Sequence, residues 1–258
     1  MLDCRLIVDS PAPGPWNMAA DEALLLAAAE SGLATLRFYR WSEPTLSLGY
    51  FQPHEDRRQH PASRKCAVVR RQTGGGAILH DRELTYSLTL PAAHPMARNS
   101  QQLYSAVHDA FIAALEPFIV TQKSAWKLRR LNQRPKGFAT QEPFMCFARR
   151  ACGDVLLVDA TENDSKLLGS AQRRHRGAIL QHGSLLLESS PAAPELAGWL
   201  DLTGIEISMD GLVDSVTVSL ADALALHAIP GRFPFELKSN ADQFANSKYS
   251  GPAWTKRR

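Results

Sequence analysis

Two stretches of the chain carry the apolar spacing of an α-helix. Between residues 99 and 118, apolar side chains recur every three or four positions. These positions are Leu103, Val107, Ala110, Phe111 and Ala114. The period places them on one face, so the pattern predicts an amphipathic helix. A second helix, rich in Ala and Leu, is predicted from an N-cap at Asn17 to Glu30, because Gly32 follows as a stop signal.

Shorter apolar runs, bounded by Gly, Pro and polar residues, predict β-strands. In one of them, residues 84–90, Leu and Tyr side chains alternate with polar ones, which is the period of a strand with one buried face. The predicted strands are 4–8, 35–41, 45–50, 67–71, 77–80, 84–90, 154–159, 166–172 and 177–187. Because most of them follow one another through short turns, we predict an α+β fold with a mixed or antiparallel sheet and packed helices.

Three further helices and one exposed loop complete the predicted elements. The helices are residues 193–200, 221–228 and 241–249. The stretch 123–141 is rich in Lys and Arg and is interrupted by Asn132, Pro135 and Gly137, a composition typical of a solvated loop. No linker or internal repeat divides the chain, so we expect one folded body.

The composition is that of a folded protein that works in water. The chain has 258 residues, 45% hydrophobic and 21% charged, which excludes disorder, collagen and coiled coil. The formal net charge of +3 is too small for a nucleic-acid-binding face and suits acidic protein partners or small anions better. The apolar run 23–29 is too short to span a membrane and follows Asp21 and Glu22, so we expect a cytoplasmic protein with no membrane partner.

The four cysteines indicate neither disulfides nor a metal site. They are Cys4, Cys66, Cys146 and Cys152, scattered without a Cys-x-x-Cys pair or a Cys/His cluster at zinc spacing. A free cysteine is most often a small buried hydrophobe. A cysteine with a chemical role in this chain would therefore act as a thiol.

A glycine loop between two predicted strands is the first candidate for a site. Three glycines at 74–76 are costly in conformational entropy unless the backbone needs positive φ or a close approach, and a tight turn would also account for them. The loop lacks the Lys-Ser or Lys-Thr of a phosphate loop, and Leu79 stands where a dinucleotide fingerprint needs its third glycine. Arg70, Arg71, His80 and Asp81 surround the loop with cationic and polar groups.

Several motifs in the right order resemble the biotin/lipoate protein ligase superfamily. They are Arg-Arg-x-x-Gly-Gly-Gly-Ala-Ile-Leu-His-Asp at 70–81, Lys-Leu-Leu-Gly-Ser-Ala-Gln at 166–172 and Gln-His-Gly-Ser at 181–184. The Asn-Met-Ala-x-Asp-Glu-Ala-Leu opening at 17–24 and Lys-Tyr at 248–249 extend the resemblance over nearly the whole chain. The chain is most similar to the ligase-like octanoyl-[acyl-carrier-protein]:protein N-octanoyltransferases. This resemblance implies a class II synthetase-like catalytic domain over residues 1–258.

The resemblance also implies an activity. In Pro-Phe-Met-Cys-Phe at 143–147, Cys146 is similar to the cysteine that takes octanoate from acyl carrier protein in these transferases. It would pass the octanoyl group to a lysine of a lipoyl domain, with the glycine cleavage H protein as the expected acceptor. Lys166 would polarise the acyl carbonyl and stabilise the oxyanion. Cys152, six positions after Cys146, competes for the role of nucleophile.

The remaining predicted site residues bind substrate. They are Arg70, Arg71, Gly74, Gly75, Gly76, His80 and Ser170. His80 either lines the acyl pocket or supports the glycine loop, whereas His182 is predicted to be structural. No metal and no cofactor is expected, because a thioester donor is already activated; ATP and Mg²⁺ enter only under the ligase alternative.

Three hypotheses follow from these motifs: a cysteine-dependent octanoyltransferase, an ATP-dependent lipoate-protein ligase acting through lipoyl-AMP, and a non-catalytic acyl-binding relative. The triple glycine is closer to the ligases, because the transferases often carry Arg at the third position. Ala-Arg-Arg after Phe147 also departs from the expected acidic continuation. Cys146 favours the transferase, and so does the length, which leaves no room for the C-terminal domain that single-chain ligases add.

Overall fold

The computed structural model describes residues 1–122, 125–133 and 142–258, and its strands form two sheets. In chain order, the strands are β1 (Leu2–Val8), β2 (Ala34–Tyr39), β3 (Thr45–Leu48), β4 (Ala67–Arg70), β5 (Ile78–His80), β6 (Glu83–Leu90), β7 (Lys127–Arg130), β8 (Val155–Val158), β9 (Asp164–His175), β10 (Ala178–Leu186) and β11 (Leu226–Gly231). Each strand predicted from the apolar runs is present.

The large sheet has eight strands in the order β11-β1-β2-β6-β10-β9-β8-β7. Strand β1 pairs in parallel with both β11 and β2, whereas the other pairs in this sheet are antiparallel. A smaller sheet, in the order β4-β3-β5, contains one parallel and one antiparallel pair. The predicted α+β fold with a mixed sheet is therefore confirmed.

The helices lie between and after the strands. They are α1 (Gly14–Ser31), α2 (Ser100–Thr121), α3 (Trp199–Thr203), α4 (Met209–Ala223), α5 (Phe235–Phe244) and α6 (Pro252–Thr255), and α5 continues into a π-helical turn, Ala245–Tyr249. Gly32 ends α1 at φ 73°, as predicted. The predicted N-cap Asn17 is wrong: α1 begins one turn earlier, after Pro13, and the amide of Asn17 donates instead to the carbonyls of Ala12 and Arg40.

One face of the large sheet is closed by α2 and α4. Leu84, Tyr86, Leu88 and Leu90 of β6 belong to this core, together with the predicted apolar stripe of α2. Asn99 caps α2 by accepting a hydrogen bond from the N–H of Gln102. By length and composition alone α2 could cross a membrane, but its apolar stripe is buried against the sheet as in the core helix of a folded domain.

Besides the N-cap, three further sequence predictions are wrong. The predicted loop 123–141 contains strand β7, which carries Lys127 to Arg130 along the edge of the large sheet; residues 123–124 and 134–141 lie outside the described part of the chain. The predicted helix 193–200 overlaps only the start of α3, and the predicted helix 221–228 spans the end of α4 and the start of β11. The apolar spacing near 221–228 fits a helix locally, but pairing with β1 makes its second half a strand.

Candidate active site

Cys146 opens a short 3₁₀-helix, Cys146–Ala148, that is bonded to the end of the glycine loop. Its backbone N–H donates to the carbonyl oxygen of Ala77 over 2.7 Å, and the N–H of Ala77 donates to the carbonyl oxygen of Phe144 over 3.0 Å. Because the two backbones are joined twice, the thiol has a fixed position beside the loop. The Cys146 side chain is partly exposed and lines a pocket.

Lys166, on β9, lies next to this thiol. Its Nζ is 3.7 Å from Cys146 Sγ and 3.3 Å from the carbonyl oxygen of the same residue. The same Nζ forms an ion pair of 2.9 Å with Asp154 Oδ2, and both side chains are at most 2% exposed. A buried ion pair with this geometry keeps the ammonium in place, so the sulfur has a fixed cation beside it.

A β-bulge and a glycine make room for Lys166. Val155 pairs with Leu168 while Leu156 pairs with Lys166, so β9 carries one extra residue here, and such bulges re-aim side chains. A Cβ built on Gly169 would lie 2.6 Å from Lys166 Cε and 2.9 Å from Nζ. Only glycine at this position lets the lysine side chain lie against its own strand.

Arg71 holds the glycine loop from inside. Its guanidinium donates to the carbonyl oxygens of Gly74 and Gly76, each over 2.7 Å, and to the carbonyl and hydroxyl oxygens of Ser47. Gly75, at φ 92°, has the backbone conformation that favours glycine. Burial lowers the pKa of Arg71 to about 10, and its Nε has no hydrogen-bond partner among the described residues. The carbonyl oxygens of the glycine loop therefore surround the buried positive charge of Arg71.

Arg70 points the other way and joins the loop to the end of the chain. Its guanidinium donates to the carbonyl oxygens of Gly49, Tyr50 and Gln52 and, with two nitrogens, to that of Thr255. Arg70 is fully buried but is not among the residues that line the pocket. Its contacts make it a structural link between two loops.

His80 is buried in a hydrogen-bonded chain. Its Nδ1 donates to Glu83 Oε1 over 2.5 Å, its Nε2 accepts from Ser47 Oγ over 2.7 Å, and its ring stacks on Trp41 at 3.9 Å. Burial lowers the pKa of His80, which favours the neutral ring. His80 both lines the pocket and, through the Ser47 hydroxyl that Arg71 also contacts, supports the glycine loop.

His182 was predicted to be structural, yet it lines the pocket. Its Nδ1 is 3.0 Å from Asp21 Oδ2 and its Nε2 is 2.7 Å from the hydroxyl of Thr73, the residue before the triple glycine. Although burial raises the pKa of Asp21, the hydrogen bond from His182 and the charge of Arg37 outweigh it, and the net shift is downward. The Asp21 carboxylate thus holds His182 in place, and His182 in turn holds Thr73, where the glycine loop begins.

Ser170 presents its hydroxyl to the pocket from β9. His108 Nδ1 donates to the carbonyl oxygen of Gly153 over 2.6 Å, so His108 Nε2 is left to accept from Ser170 Oγ at 2.6 Å. The hydroxyl of Tyr86 is 2.7 Å from the same Oγ. Burial lowers the pKa of His108 to about 3, which keeps this acceptor neutral. The Ser170 hydroxyl is therefore fixed in one orientation.

These groups meet at one pocket, whose empty space is about 410 Å³ when the open mouth is included. The predicted residues that line it are Arg71, Gly74, Gly75, His80, Cys146 and Ser170. Lys166 is not among the lining residues, but its Nζ lies next to the sulfur of Cys146, which is. Gly76 is held instead against Arg149, and Cys152 is exposed, with its sulfur 3.1 Å from the carbonyl oxygen of Asn132.

Sequence reasoning missed Asp21, Asp154 and the part played by His182. Two signals were present: Asp21 and His182 both lie inside the quoted motifs. Their polar partners became visible only with the fold. In the described ranges, no group of three His, Cys, Asp or Glu residues is arranged to hold a metal ion.

Comparison with known proteins identifies the family and the fold of the chain. The family model of the lipoyl protein ligase A/B catalytic domain matches residues 13–196. Octanoyltransferase LipM of Kyrpidia tusciae is 30% identical over 98% of both chains. Lipoate-protein ligase A bound with ATP superposes with a TM-score of 0.74 at 20% identity, over 99% of both chains. A bi-partite lipoate protein ligase from Thermoplasma acidophilum, solved in a study of that ligase and its E2 lipoyl domain, gives 0.71 at 20% identity, over 99% of this chain and 97% of that one. The chain therefore belongs to the lipoyl protein ligase A/B catalytic domain family, within the biotin/lipoate protein ligase superfamily.

Proposed function

We propose that this protein is an octanoyltransferase of protein lipoylation, which moves an octanoyl group from acyl carrier protein to a lysine of a lipoyl domain. The observation that carries the proposal is the pair of Cys146 Sγ and Lys166 Nζ, 3.7 Å apart at the lined pocket. The curated relatives are octanoyltransferases, and the one from Kyrpidia tusciae aligns over nearly its whole length.

In the first half-reaction, the Cys146 thiolate attacks the carbonyl carbon of the octanoyl thioester. The carbon–sulfur bond to the carrier breaks, and the carrier leaves as a thiol after taking up a proton. The thiolate is the reactive form, and neighbouring cations stabilise it. Lys166 supplies positive charge 3.7 Å from the sulfur, and the buried Arg71 lines the same pocket as Cys146.

The tetrahedral intermediate carries a negative oxygen. The Lys166 ammonium stabilises that oxyanion, and its ion pair with Asp154 means that it is oriented before substrate arrives. Glycines 169 and 183 let the two strands that form this wall approach closely: a Cβ on Gly183 would lie 2.6 Å from the carbonyl oxygen of Gly169.

In the second half-reaction, the amine of the acceptor lysine attacks the octanoyl-Cys146 thioester. An amide bond forms, the amine loses a proton, and the Cys146 thiolate is released. We propose a lipoyl domain such as that of the glycine cleavage H protein as the acceptor. In support, one neighbour of the same fold was studied together with its E2 lipoyl domain.

The transfer needs neither ATP nor a metal ion, because both the donor and the enzyme intermediate are thioesters and already activated. We propose a cytoplasmic location, because a reducing compartment keeps a nucleophilic thiol from being oxidised to a disulfide. The four cysteines are unpaired, which agrees with that location.

The test follows the mass of the intact protein after mixing with octanoyl acyl carrier protein, without ATP. We expect an octanoyl adduct that hydroxylamine removes and that is absent from Cys146→Ala. Loss of the nucleophile should reduce transfer to the lipoyl domain by at least about 10³-fold.

Cys152→Ala is the matched control, because Cys152 is also a free thiol but is exposed and away from the pocket. This variant should acylate like the wild type. An adduct that needs free octanoate and ATP, or that persists in Cys146→Ala, would contradict the proposal and favour the ligase.

A further inference from the structure

Three exposed arginines stack on aromatic rings at one edge of the pocket. Arg257 lies 4.1 Å from the ring centre of Tyr50 and 4.9 Å from that of Trp254. Arg173 lies 5.7 Å from Tyr50 on the other side. Arg258 stacks 5.4 Å from Phe51. We call the three arginines and their three aromatic supports the arginine patch.

The arginine patch adjoins the mouth of the pocket. Phe51 is 64% exposed, and its ring is 3.8 Å from where a Cβ on Gly74 would stand. Gly74 lines the pocket, and the N–H of Tyr50 donates to the carbonyl oxygen of Thr73 over 2.8 Å. A partner that delivers a group to Cys146 past the glycine loop therefore meets these arginines.

The positive charges of the arginine patch are free for a partner. Among the described residues, none of its three arginines has a carboxylate within ion-pair distance, whereas some other surface arginines pair with acids, as Arg130 does with Asp109 at 2.6 Å. Stacking on a ring leaves the edge of a guanidinium open to bind a carboxylate or phosphate with two hydrogen bonds.

The arginine patch is also rigidly connected to the glycine loop. Arg70 bonds the carbonyl oxygens of Tyr50 and Thr255, and the indole N–H of Trp254 donates to the carbonyl oxygen of Arg70 over 2.8 Å. Both supports of Arg257 are thus fixed to the strand that leads into the loop. A partner docked here would be held in register with the pocket.

We propose that the arginine patch docks the acyl carrier domain that donates the octanoyl group. The inference rests on the proposed function and names the surface that recognises its donor. An acidic domain that presents its thioester on a phosphodiester-containing arm offers anions both at its surface and along the arm. Of the two partners, only the donor brings a phosphodiester close to the reacting group, so charge complementarity at the mouth of the pocket favours the donor.

The test compares two donors in the octanoylation of Cys146, measured by intact mass. One donor is octanoyl acyl carrier protein, and the other is octanoyl-N-acetylcysteamine, a small neutral thioester. For Arg173→Glu/Arg257→Glu we expect the second-order rate with the carrier to fall about tenfold or more, while the rate with the small thioester changes less than about twofold. The salt dependence of the carrier reaction should also weaken.

Arg232→Glu is the matched control, because Arg232 is exposed and follows β11 at the opposite edge of the large sheet. It should behave like the wild type with both donors. Direct binding of the unacylated carrier, measured by calorimetry, should weaken only in the double variant.

Other outcomes overturn the proposal. An equal loss with both donors assigns the arginine patch to the integrity of the site, and an unchanged carrier reaction shows that the carrier docks elsewhere. Slower transfer from preformed octanoyl-enzyme to the lipoyl domain, with normal loading, assigns the surface to the acceptor. If the wild type accepts neither donor, the proposed function fails, and carrier binding that is equal in wild type and variant then rejects the docking surface separately.

Discussion

Lys166 lies between a carboxylate and a thiol, and this arrangement explains why one lysine can act as a fixed cation in a buried place. Asp154 balances the charge at 2.9 Å, and Cys146 faces the other side of the ammonium at 3.7 Å. The backbone N–H of Ala151 also donates to Asp154 Oδ2, so the carboxylate itself has little freedom. Asp154 is thus a positioning residue that acts through Lys166.

Asp154→Asn should impair both stability and loading of the enzyme. Removing one partner of a buried ion pair costs about 3–5 kcal/mol in the free energy of unfolding. Because the ammonium then has no fixed orientation, the maximal rate of Cys146 octanoylation should fall at least about tenfold, with KM for the donor nearly unchanged. Urea unfolding and single-turnover mass measurements give the two quantities.

Asp242→Asn is the control for this prediction, because Asp242 is exposed on α5. It should alter neither quantity. A rise in KM with an unchanged maximal rate in Asp154→Asn would show that Asp154 serves binding and not the orientation of Lys166.

His108 should make the fold sensitive to mild acid. Its folded-state pKa is lowered by burial to about 3, while an unfolded histidine titrates near 6.5. Between these values the unfolded chain takes up a proton that the folded chain does not. The contribution of the neutral His108 ring to the free energy of unfolding is therefore intact above pH 6.5. It declines as the pH falls, by up to about 1.4 kcal/mol per pH unit.

Urea unfolding of wild type and His108→Gln at pH 7, 6 and 5 measures this effect. The variant lacks the titrating group, so its free energy of unfolding should fall less steeply with decreasing pH. Equal slopes would mean that His108 binds its proton equally well in the folded and unfolded states, so that burial does not lower its pKa.

At the scale of residues, motifs predicted the thiol and the lysine but not their supports. Cys146 and Lys166 stand in recognisable local sequences, and the structure brings them together from positions 20 apart. Asp154 carries no local signal, because an acid before an apolar strand is common. Its role depends on the register of β8 against β9, which no single segment contains.

Strand β9 shows how an element is shaped around one side chain. The bulge opposite Val155 and Leu156 turns Lys166 toward Cys146, and the absence of a side chain at Gly169 leaves the space that the lysine occupies. Both features are properties of backbone geometry, and both determine where the Lys166 ammonium lies.

Gly169→Ala should therefore disable the site while the fold persists. The new methyl group would overlap Lys166 Cε at 2.6 Å, and the flexible lysine would move before the strand does. Octanoylation of Cys146 should slow at least about tenfold. Intact-mass kinetics check the rate, and circular dichroism checks the fold.

Gly32→Ala is the control that separates a loss of fold stability from a loss of the site. Gly32 has φ 73° and nothing within 4 Å of a built Cβ, so alanine there costs about 1 kcal/mol through the backbone alone. It should lower the melting temperature and leave octanoylation unchanged. If Gly169→Ala loads at the wild-type rate, the lysine has another path to the sulfur.

Among the elements, local pattern sufficed where the apolar side chains lie on one face of the element. Helix α2 and strand β6 follow their predicted periods because one face of each is packed in the main core. Strand β7 was hidden in a basic run, because its place at the edge of the sheet tolerates exposed Lys127 and Arg129. Strand β11 was missed because its partner lies more than 200 positions away.

At the scale of the whole molecule, the large sheet contributes both to the main apolar core and to the pocket. One face packs on α2 and α4 as the main apolar core, and the pocket is lined by α1, the glycine loop and strands of both sheets. The motifs predicted this family and its mixed α+β fold, but strand order and the grouping of buried acids and histidines follow only from the complete topology.

The pairing of β1 with β11 has a consequence for how the protein folds during its synthesis. Leu2 and Leu226 are partners in a parallel ladder, so β1 waits for a strand that is synthesised more than 200 residues later. Until then, a nascent chain on the ribosome exposes the unpaired edge of β1, a surface that other strands can join. This sheet is therefore completed only after β11 has been synthesised, and the β1 edge stays open to wrong pairing until then.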